Sequence, residues 1–122
     1  MFDWREYLEL AQDLHGVQSG RTVSIRSSEA AERWAVSRAY YAAFCHARNY
    51  AQVHLGFVPT HRGADHWLLR QHFTQIGMNS VARRLRQLHG WRKQCDYEDV
   101  VPSLPVILQN ALRDAAAVIN QL

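Results

Sequence analysis

Long apolar segments are missing from this sequence. No run approaches the roughly 18 consecutive apolar residues that a membrane-spanning helix requires. The amino-terminal MFDWREYLEL carries three acidic residues where a secretory signal would be basic and then apolar. Cysteine is also scarce, and Cys45 and Cys95 form neither a disulfide framework nor a paired metal motif. We therefore expect a cytoplasmic protein without a membrane partner, whose two cysteines are small buried or half-buried apolar side chains.

The motifs of the common catalytic and cofactor-binding classes are missing too. There is no glycine-rich phosphate loop and no HExxH zinc signature. His61, His66 and His72 lie near one another, but the five-residue spacing of the first two is poor for one helix face. Cys45 lies within a helical pattern among Ala and Phe, where a thiol is buried and unreactive. We predict neither a metal nor a cofactor.

What the sequence does contain is helical periodicity. It has no alternating pattern typical of a strand, no internal repeat and no low-complexity tract. Its 122 residues, 48% apolar and 20% charged, suit one domain with a single core. We predict that residues 1–122 form an all-α, up-and-down bundle of four to five helices. The predicted helices are Phe2–His15, Glu29–Leu55, Gly63–Ile76, Ser80–Val101 and a last one opened by Ser103 and Pro105.

Particular residues refine this bundle. The second helix is rich in Ala and aromatic residues on nearly every side, which predicts a central position with close neighbours. Gly16 and Gly56 are expected to end the first two helices, and residues 17–28 to form an exposed connection. Gly90 costs the fourth helix about 1 kcal/mol relative to Ala, which suggests close packing or a local distortion there. The third helix is predicted to direct inward Trp67, Leu68 and Phe73.

Basic residues are concentrated in one stretch of the fourth helix. Within eleven residues, and with no acid before Asp96, the sequence places Arg83, Arg84, Arg86, Arg92 and Lys93. The formal net charge is only +3, so this concentration is local. Such a cluster can bind phosphate, or it can be the solvated face of a helix.

Three segments carry a family resemblance. The second helix contains Arg38, Tyr40, Tyr41, Ala42 and Phe44 in the pattern RxYYAxF. The third opens with His61, Arg62 and Gly63. The fourth contains Leu85, Leu88, Arg92, Asp96 and Tyr97. In this order and spacing the chain, over about residues 30–120, resembles the HEPN superfamily, in particular its small stand-alone bacterial and archaeal members.

The resemblance implies a HEPN-like bundle of four or five helices that pairs through its central helices, often as a homodimer. Many HEPN proteins are metal-independent ribonucleases or toxins. Many small ones are encoded beside a minimal nucleotidyltransferase that acts as antitoxin, and others are inactive scaffolds. In the catalytic members an Arg is followed four to six residues later by a His, and two protomers bring both pairs to one cleft. There the His can move the proton of a 2′-hydroxyl while the Arg binds the phosphate.

Carried onto this chain, the resemblance gives two candidate catalytic registers. The first places the Arg at Arg92, where Asp96 and Tyr97 occupy the His position, and a phenol of ordinary pKa about 10 is a poor base at neutral pH. The second pairs Arg84 with His89. Arg92 could instead form a structural ion pair with Asp96, four residues away.

Arg38 is predicted to lie on a central helix, where its guanidinium would be buried. An unpaired buried guanidinium is very costly, so Arg38 must pair with an acid such as Asp96 or face a cleft. In the second case an aromatic and basic cleft, suited to nucleotide or RNA, would be bordered by Arg38, Tyr41, His89, Arg92 and Tyr97. The candidate binding residues are Arg38, Tyr41, Asp96, Arg83 and Lys93.

Three functions follow as hypotheses. The first is a homodimeric, toxin-like protein that binds RNA in a basic cleft between protomers and cleaves it without metal. The second is a non-catalytic module that binds nucleotide or partners a nucleotidyltransferase, with Tyr97 as a conceivable acceptor of a transferred nucleotide. The third is a helical protein without a nucleic-acid role, whose arginines form a solvated surface.

Overall fold

Five helices make up the described part of the chain. The computed structural model describes residues 2–18 and 28–122, and all regular secondary structure within these ranges is helical. The helices are α1 (Arg5–Gln18), α2 (Ser28–His54), α3 (Asp65–Gln75), α4 (Asn79–Tyr97) and α5 (Leu104–Gln121). The prediction of an all-α bundle is confirmed. None of the described helices combines the length and apolarity needed to cross a membrane.

Helix α2 lies at the centre of the bundle and packs against α1, α4 and α5. Its fully buried positions include a series of alanines, namely Ala35, Ala39, Ala42, Ala43, Ala47 and Ala51. Because alanine projects only a methyl group, neighbouring helices can approach α2 closely on several sides. The prediction of a central, closely packed second helix is confirmed.

Helix α3 buries only one narrow row of side chains. Asp65, Leu69 and Phe73 follow one another at four-residue steps and are buried, and Leu68 is partly buried. Trp67 is 56% exposed. It follows Asp65 by two residues, which is a rotation of about 200° around a helix of 3.6 residues per turn. The prediction that Trp67 points inward is therefore wrong.

Two of the predicted helix ends differ from the structure. Helix α1 continues through Gly16 to Gln18, so the predicted end at Gly16 is wrong, and residues 19–27 of the predicted connection lie outside the described residues. Helix α2 ends at His54, within one residue of the predicted Leu55, and Gly56 takes the left-handed φ of 72° that favours glycine. Helix α4 ends at Tyr97 rather than Val101, and Glu98 is already extended.

An arginine from α2 explains why α4 ends early. Arg33 donates from Nη1 to the carbonyl oxygens of Cys95 and Glu98, at 3.1 and 2.6 Å, and from Nη2 to that of Asp99 at 2.9 Å. The last carbonyls of a helix lack partners within the helix and carry partial negative charge. The guanidinium of Arg33 satisfies both needs and fixes the turn after α4.

Gly90 leaves α4 uninterrupted. A Cβ built at this position meets no heavy atom within 4 Å. The suggestion of close packing or distortion at Gly90 is therefore wrong, and the residue borders open space.

The turn before α3 is organised by a buried carboxylate. Asp65 accepts hydrogen bonds from the backbone N–H and hydroxyl of Thr60 and from the backbone N–H of His61. Burial raises the pKa of Asp65, but these donors together hold it below its ordinary value. His61 adopts a positive φ of 61° in this turn. The His61–Gly63 segment thus shapes the entry to α3.

Candidate functional site

A cleft of about 380 Å³ lies where α1, α2, α3 and α4 meet. Three arginines, four aromatic rings, one imidazole, one thiol and one carboxylate line it. We call it the arginine cleft, and its residues are Trp4, Tyr7, Arg38, Tyr41, Phe44, Cys45, Arg48, His66, Arg92 and Asp96. Three arginines against one aspartate leave the lining with two excess positive charges when His66 is neutral.

The helical repeat explains how these side chains meet. On α2, steps of three and four residues place Arg38, Tyr41, Cys45 and Arg48 along one stripe. On α4, Asp96 lies one turn after Arg92. Because α1 and α4 both pack against α2, this stripe is flanked on both sides.

Arg92 is held in place by two partners. Its Nη2 donates to the hydroxyl of Tyr41 at 2.8 Å, and its Nε lies 2.9 Å from Asp96 Oδ2. That second contact is an ion pair whose N–H does not point along a hydrogen bond, because Nε has no aligned acceptor among the described residues. The Arg92–Asp96 pair expected from the four-residue spacing is therefore present.

Arg38 faces the arginine cleft rather than an acid. Its guanidinium carbon lies 5.1, 5.6 and 5.1 Å from the ring centroids of Tyr7, Trp34 and Tyr41. Its Nη2 donates to Ser37 Oγ at 3.4 Å, and its buried Nε has no hydrogen-bond partner among the described residues. Asp96, the acid expected to pair with it, is instead beside Arg92. Cation–π contacts alone leave guanidinium donors available to an anion.

A stack of aromatic rings forms one wall of the cleft. His66 lies between Phe44 and His89, with centroid distances of 4.4 and 5.0 Å. The hydroxyl of buried Tyr40 is hydrogen-bonded to His66 Nδ1. Behind it, His89 Nδ1 lies 3.5 Å from Nη1 of Arg70. His66 thus reaches the cleft lining while His89 stands behind it.

Both histidines are biased towards the neutral form. Burial and the charges of Arg92 and Arg70 lower the pKa of His66. Burial, followed by Arg70, His66, Lys93 and Arg92, lowers the pKa of His89 to about 4. Near pH 7 both rings are therefore uncharged, and each retains one nitrogen that can accept a proton.

The two cysteines lie inside the protein, as predicted. Cys45 and Cys95 are buried, and burial raises the pKa of both thiols, that of Cys95 to about 11. A thiol that stays protonated near pH 7 is a weak nucleophile. Cys45 therefore contributes shape rather than reactivity to the arginine cleft.

The structure gathers four of the predicted site residues in the arginine cleft. These are Arg38, Tyr41, Arg92 and Asp96. His89 and Tyr97, expected at its border, are outside the lining, although the Tyr97 ring lies 5.6 Å from the Arg92 guanidinium.

Arg84 points away from His89, its partner in the second register. It lies 3.8 Å from Asp114 of α5 and donates to Ser80 Oγ at 3.2 Å. Arg83 and Lys93 are exposed, and Arg83 lines a separate concavity. The structure therefore does not assemble Arg84 and His89 into one site.

Sequence reasoning missed several contributors to the cleft. His66 reaches the site only because α3 packs on α4. Neither the RxYYAxF motif of the second helix nor the Arg–His spacing pointed to it. Tyr7 and Trp4 arrive through the packing of α1 on α2. The aromatic positions of the first helix were the available hint, but they suit a core equally well.

Among the described residues, no group of three or more His, Cys, Asp or Glu side chains is arranged to hold a metal ion. Comparison with protein-family models, with curated proteins and with solved structures finds no match for this chain.

Proposed function

We propose that this chain is a HEPN-type, toxin-like protein that binds RNA or a nucleotide in the arginine cleft. One observation carries the proposal: Arg38 lies among three aromatic rings, with an unpartnered Nε, in the same cleft as Arg92. A phosphate can accept bidentate hydrogen bonds from a guanidinium, and a base can stack on an aromatic or guanidinium face. A nucleotide offers both groups on one small molecule.

The balance of charge favours an anion over a neutral ligand. Arg92 has Asp96 beside it, whereas Arg38 and Arg48 have no carboxylate partner among the described residues. Removing such guanidinium groups from water without an opposite charge is unfavourable. A bound phosphate would compensate them inside the cleft.

Binding can be tested with AMP and a short RNA. We expect Arg38→Gln and Arg92→Gln each to weaken AMP binding at least tenfold, because each removes charged hydrogen bonds of about 1.5–3 kcal/mol. Isothermal titration calorimetry measures the affinity, and circular dichroism confirms that each variant is folded. The matched control is Arg113→Gln, which removes the same charge from an exposed position on α5. Equal AMP affinity in all four proteins would contradict the proposal.

We further propose metal-independent cleavage at this cleft, with His66 as the base. When His66 Nδ1–H donates to the Tyr40 hydroxyl oxygen, Nε2 carries the lone pair. It can take the proton of a ribose 2′-hydroxyl while the 2′-oxygen bonds to phosphorus. The bond from phosphorus to the 5′-oxygen then breaks and leaves a 2′,3′-cyclic phosphate. The 5′-oxygen takes a proton from water, and the resulting hydroxide takes the proton back from His66. Arg92 would stabilise the charge that builds on the phosphate.

Cleavage is tested on total RNA and tRNA in EDTA buffer. We expect wild-type protein to cut RNA, and His66→Gln to lose at least about a hundredfold in rate, the usual contribution of a general base. AMP affinity should persist in His66→Gln. Intact RNA with wild-type protein would contradict the cleavage proposal. The protein would then be a non-catalytic binding module, whether or not it forms a homodimer.

Tyr97 favours the second candidate function, a partner of a nucleotidyltransferase antitoxin. Its side chain is 71% exposed at the end of α4 and lies beside Arg92. The phenolic oxygen could attack the α-phosphorus of ATP, releasing pyrophosphate and giving its proton to solvent. Mass spectrometry after incubation with that partner and ATP should show one added AMP in wild-type protein and none in Tyr97→Phe. No added mass in wild type would reject this function.

A further inference from the structure

A second basic concavity, of about 240 Å³, lies between α3 and α4. Arg70 on α3 faces Arg83 and Arg86 on α4 across it, and the remaining lining is polar or small, namely Gln71, Thr74, Asn79 and Ala82. No acidic side chain contributes to this lining. We call the three arginines the Arg70 cluster.

The arginines of the Arg70 cluster differ from three other arginines of the bundle in having no carboxylate nearby among the described residues. Arg33, Arg84 and Arg92 each lie within 4 Å of a carboxylate. No ion pair is found for the cluster within residues 2–18 and 28–122. Residues 14–28 contain no Asp or Glu that could supply one. Three like charges around one concavity repel one another unless an anion joins them.

Arg70 is the member of the cluster whose charge is least favourable in the free protein. Its guanidinium is partly buried, and burial together with the charge of Arg86 lowers its pKa. Its side-chain contact is with Nδ1 of His89, a ring that is neutral near pH 7. A neutral imidazole cannot compensate a guanidinium charge, so the concavity retains an unmet requirement for a negative group.

Side-chain contacts connect the Arg70 cluster to the arginine cleft. Arg70 touches His89 at 3.5 Å, His89 stacks on His66 at 5.0 Å, and His66 lines the cleft. On the other side, Arg83 and Arg86 also line a shallow concavity with Gly90 and Trp91. Basic groups and rings therefore alternate along this series of contacts, a combination of groups that also binds single-stranded nucleic acid.

We infer that the ligand is a single strand of nucleic acid, whose phosphodiester backbone continues from the arginine cleft onto the Arg70 cluster. This inference rests on the proposed function, and it names the substrate class as a strand rather than a mononucleotide. A mononucleotide carries its phosphate to one site only. A strand has the regularly repeated phosphates that two connected anion sites require.

The salt dependence of binding separates the two sites. Each single-strand phosphate neutralised by a cation contributes about 0.7 to the slope of log affinity against log salt. We expect Arg83→Gln/Arg86→Gln to lower that slope by about 1.4 for a ten-nucleotide RNA and to weaken binding about tenfold or more at low salt. The affinity for AMP should stay within twofold of wild type. Both side chains are exposed, so the variant should fold normally.

Fluorescence anisotropy with four probes decides the outcome: AMP, the ten-nucleotide RNA, DNA of the same sequence and polyglutamate. Arg113→Gln is the control for loss of charge. An unchanged RNA slope in the double variant overturns the inference, as does polyglutamate binding as tight as RNA, since the cluster would then be a general anion surface. Loss of binding to both the RNA and the DNA supports a phosphodiester contact, and a preference for RNA adds recognition of the 2′-hydroxyl.

Failure of the proposed function gives a different result. AMP binding that is absent, or insensitive to Arg38→Gln and Arg92→Gln, overturns the assignment of the arginine cleft. A slope change in Arg83→Gln/Arg86→Gln in the same experiment would still support the Arg70 cluster as a site for a strand.

Discussion

Arg33 joins two helices through the backbone rather than through another side chain. Its three hydrogen bonds to carbonyl oxygens after and within the last turn of α4 accompany a 3.2 Å ion pair with Glu29. The arginine side chain is 19% exposed, whereas that of Glu29 is 63% exposed. The contact with the Cys95 carbonyl is partly buried, and three hydrogen bonds from one guanidinium should contribute more stability than one ion pair with an exposed carboxylate.

We expect Arg33→Ala to lower the free energy of unfolding by about 2 kcal/mol, since hydrogen bonds to a charged group contribute about 1.5–3 kcal/mol. Glu29→Ala should cost less than about 0.5 kcal/mol, because an exposed ion pair contributes little. Urea denaturation of both variants measures the difference. Equal losses would show that the ion pair, and not the carbonyl contacts, stabilises this end of α4.

The stacked histidines predict how stability depends on pH. The pKa of His89 is lowered to about 4 in the folded protein from an ordinary value near 6.5, and that of His66 is lowered as well. Between these values the unfolded chain binds more protons than the folded one, so stability rises with pH across this window. Below the folded pKa this contribution is lost.

We therefore expect the free energy of unfolding to fall as the pH is lowered from about 6.5 to about 4, and His89→Gln to reduce that slope while His66 keeps part of it. Denaturation at a series of pH values tests the slope, and a two-dimensional NMR titration reads the His89 ring directly. A His89 midpoint near 6.5 would contradict the description of this stack.

At the scale of the helix, two glycines have opposite roles. Gly90 lies inside α4 with open space where a Cβ would be. Gly77 follows α3 with a φ of 84°, and the chain there closes with a hydrogen bond from Met78 N–H to the Phe73 carbonyl at 2.8 Å. Gly90 thus weakens a helix without a packing reason, whereas Gly77 permits a left-handed turn that ends one.

We expect Gly90→Ala to stabilise the protein by up to about 1 kcal/mol, through better helix propensity without a clash. Gly77→Ala should destabilise it by about 1 kcal/mol or more, because an L side chain is strained at that φ. Thermal unfolding should show shifts of roughly 4 °C in opposite directions. A shift of the same sign in both variants would contradict this contrast.

For the molecule as a whole, periodicity predicted the helices better than the contacts between them. The Ala-rich surface of α2 predicted its central place because buried helices must be small or apolar on every side. The end of α4 could not be predicted, since it depends on Arg33, which is more than 60 residues away. Trp67 was misplaced because α3 buries a narrower stripe than its apolar residues suggest.

The candidate site was predictable in part. Arg38, Tyr41, Arg92 and Asp96 were predicted from the family resemblance and from the cost of burying Arg38, and helical spacing places each pair on one face. His66 was not predicted as a site residue, because nothing in the sequence of α3 shows which rings of other helices it will stack on. The pairing of Arg84 with His89 rested on spacing alone. In the structure Arg84 faces α5 and its carboxylate Asp114.

The attachment of α3 has a consequence for motion. This short helix packs mainly on α4 and has few contacts with α2, yet it brings His66 to a cleft built chiefly by α2 and α4. Opening of α3 alone would carry the imidazole away and leave the arginines in place. Amide hydrogen exchange in α3 should then be faster than in α2, and a ligand that touches His66 should slow it.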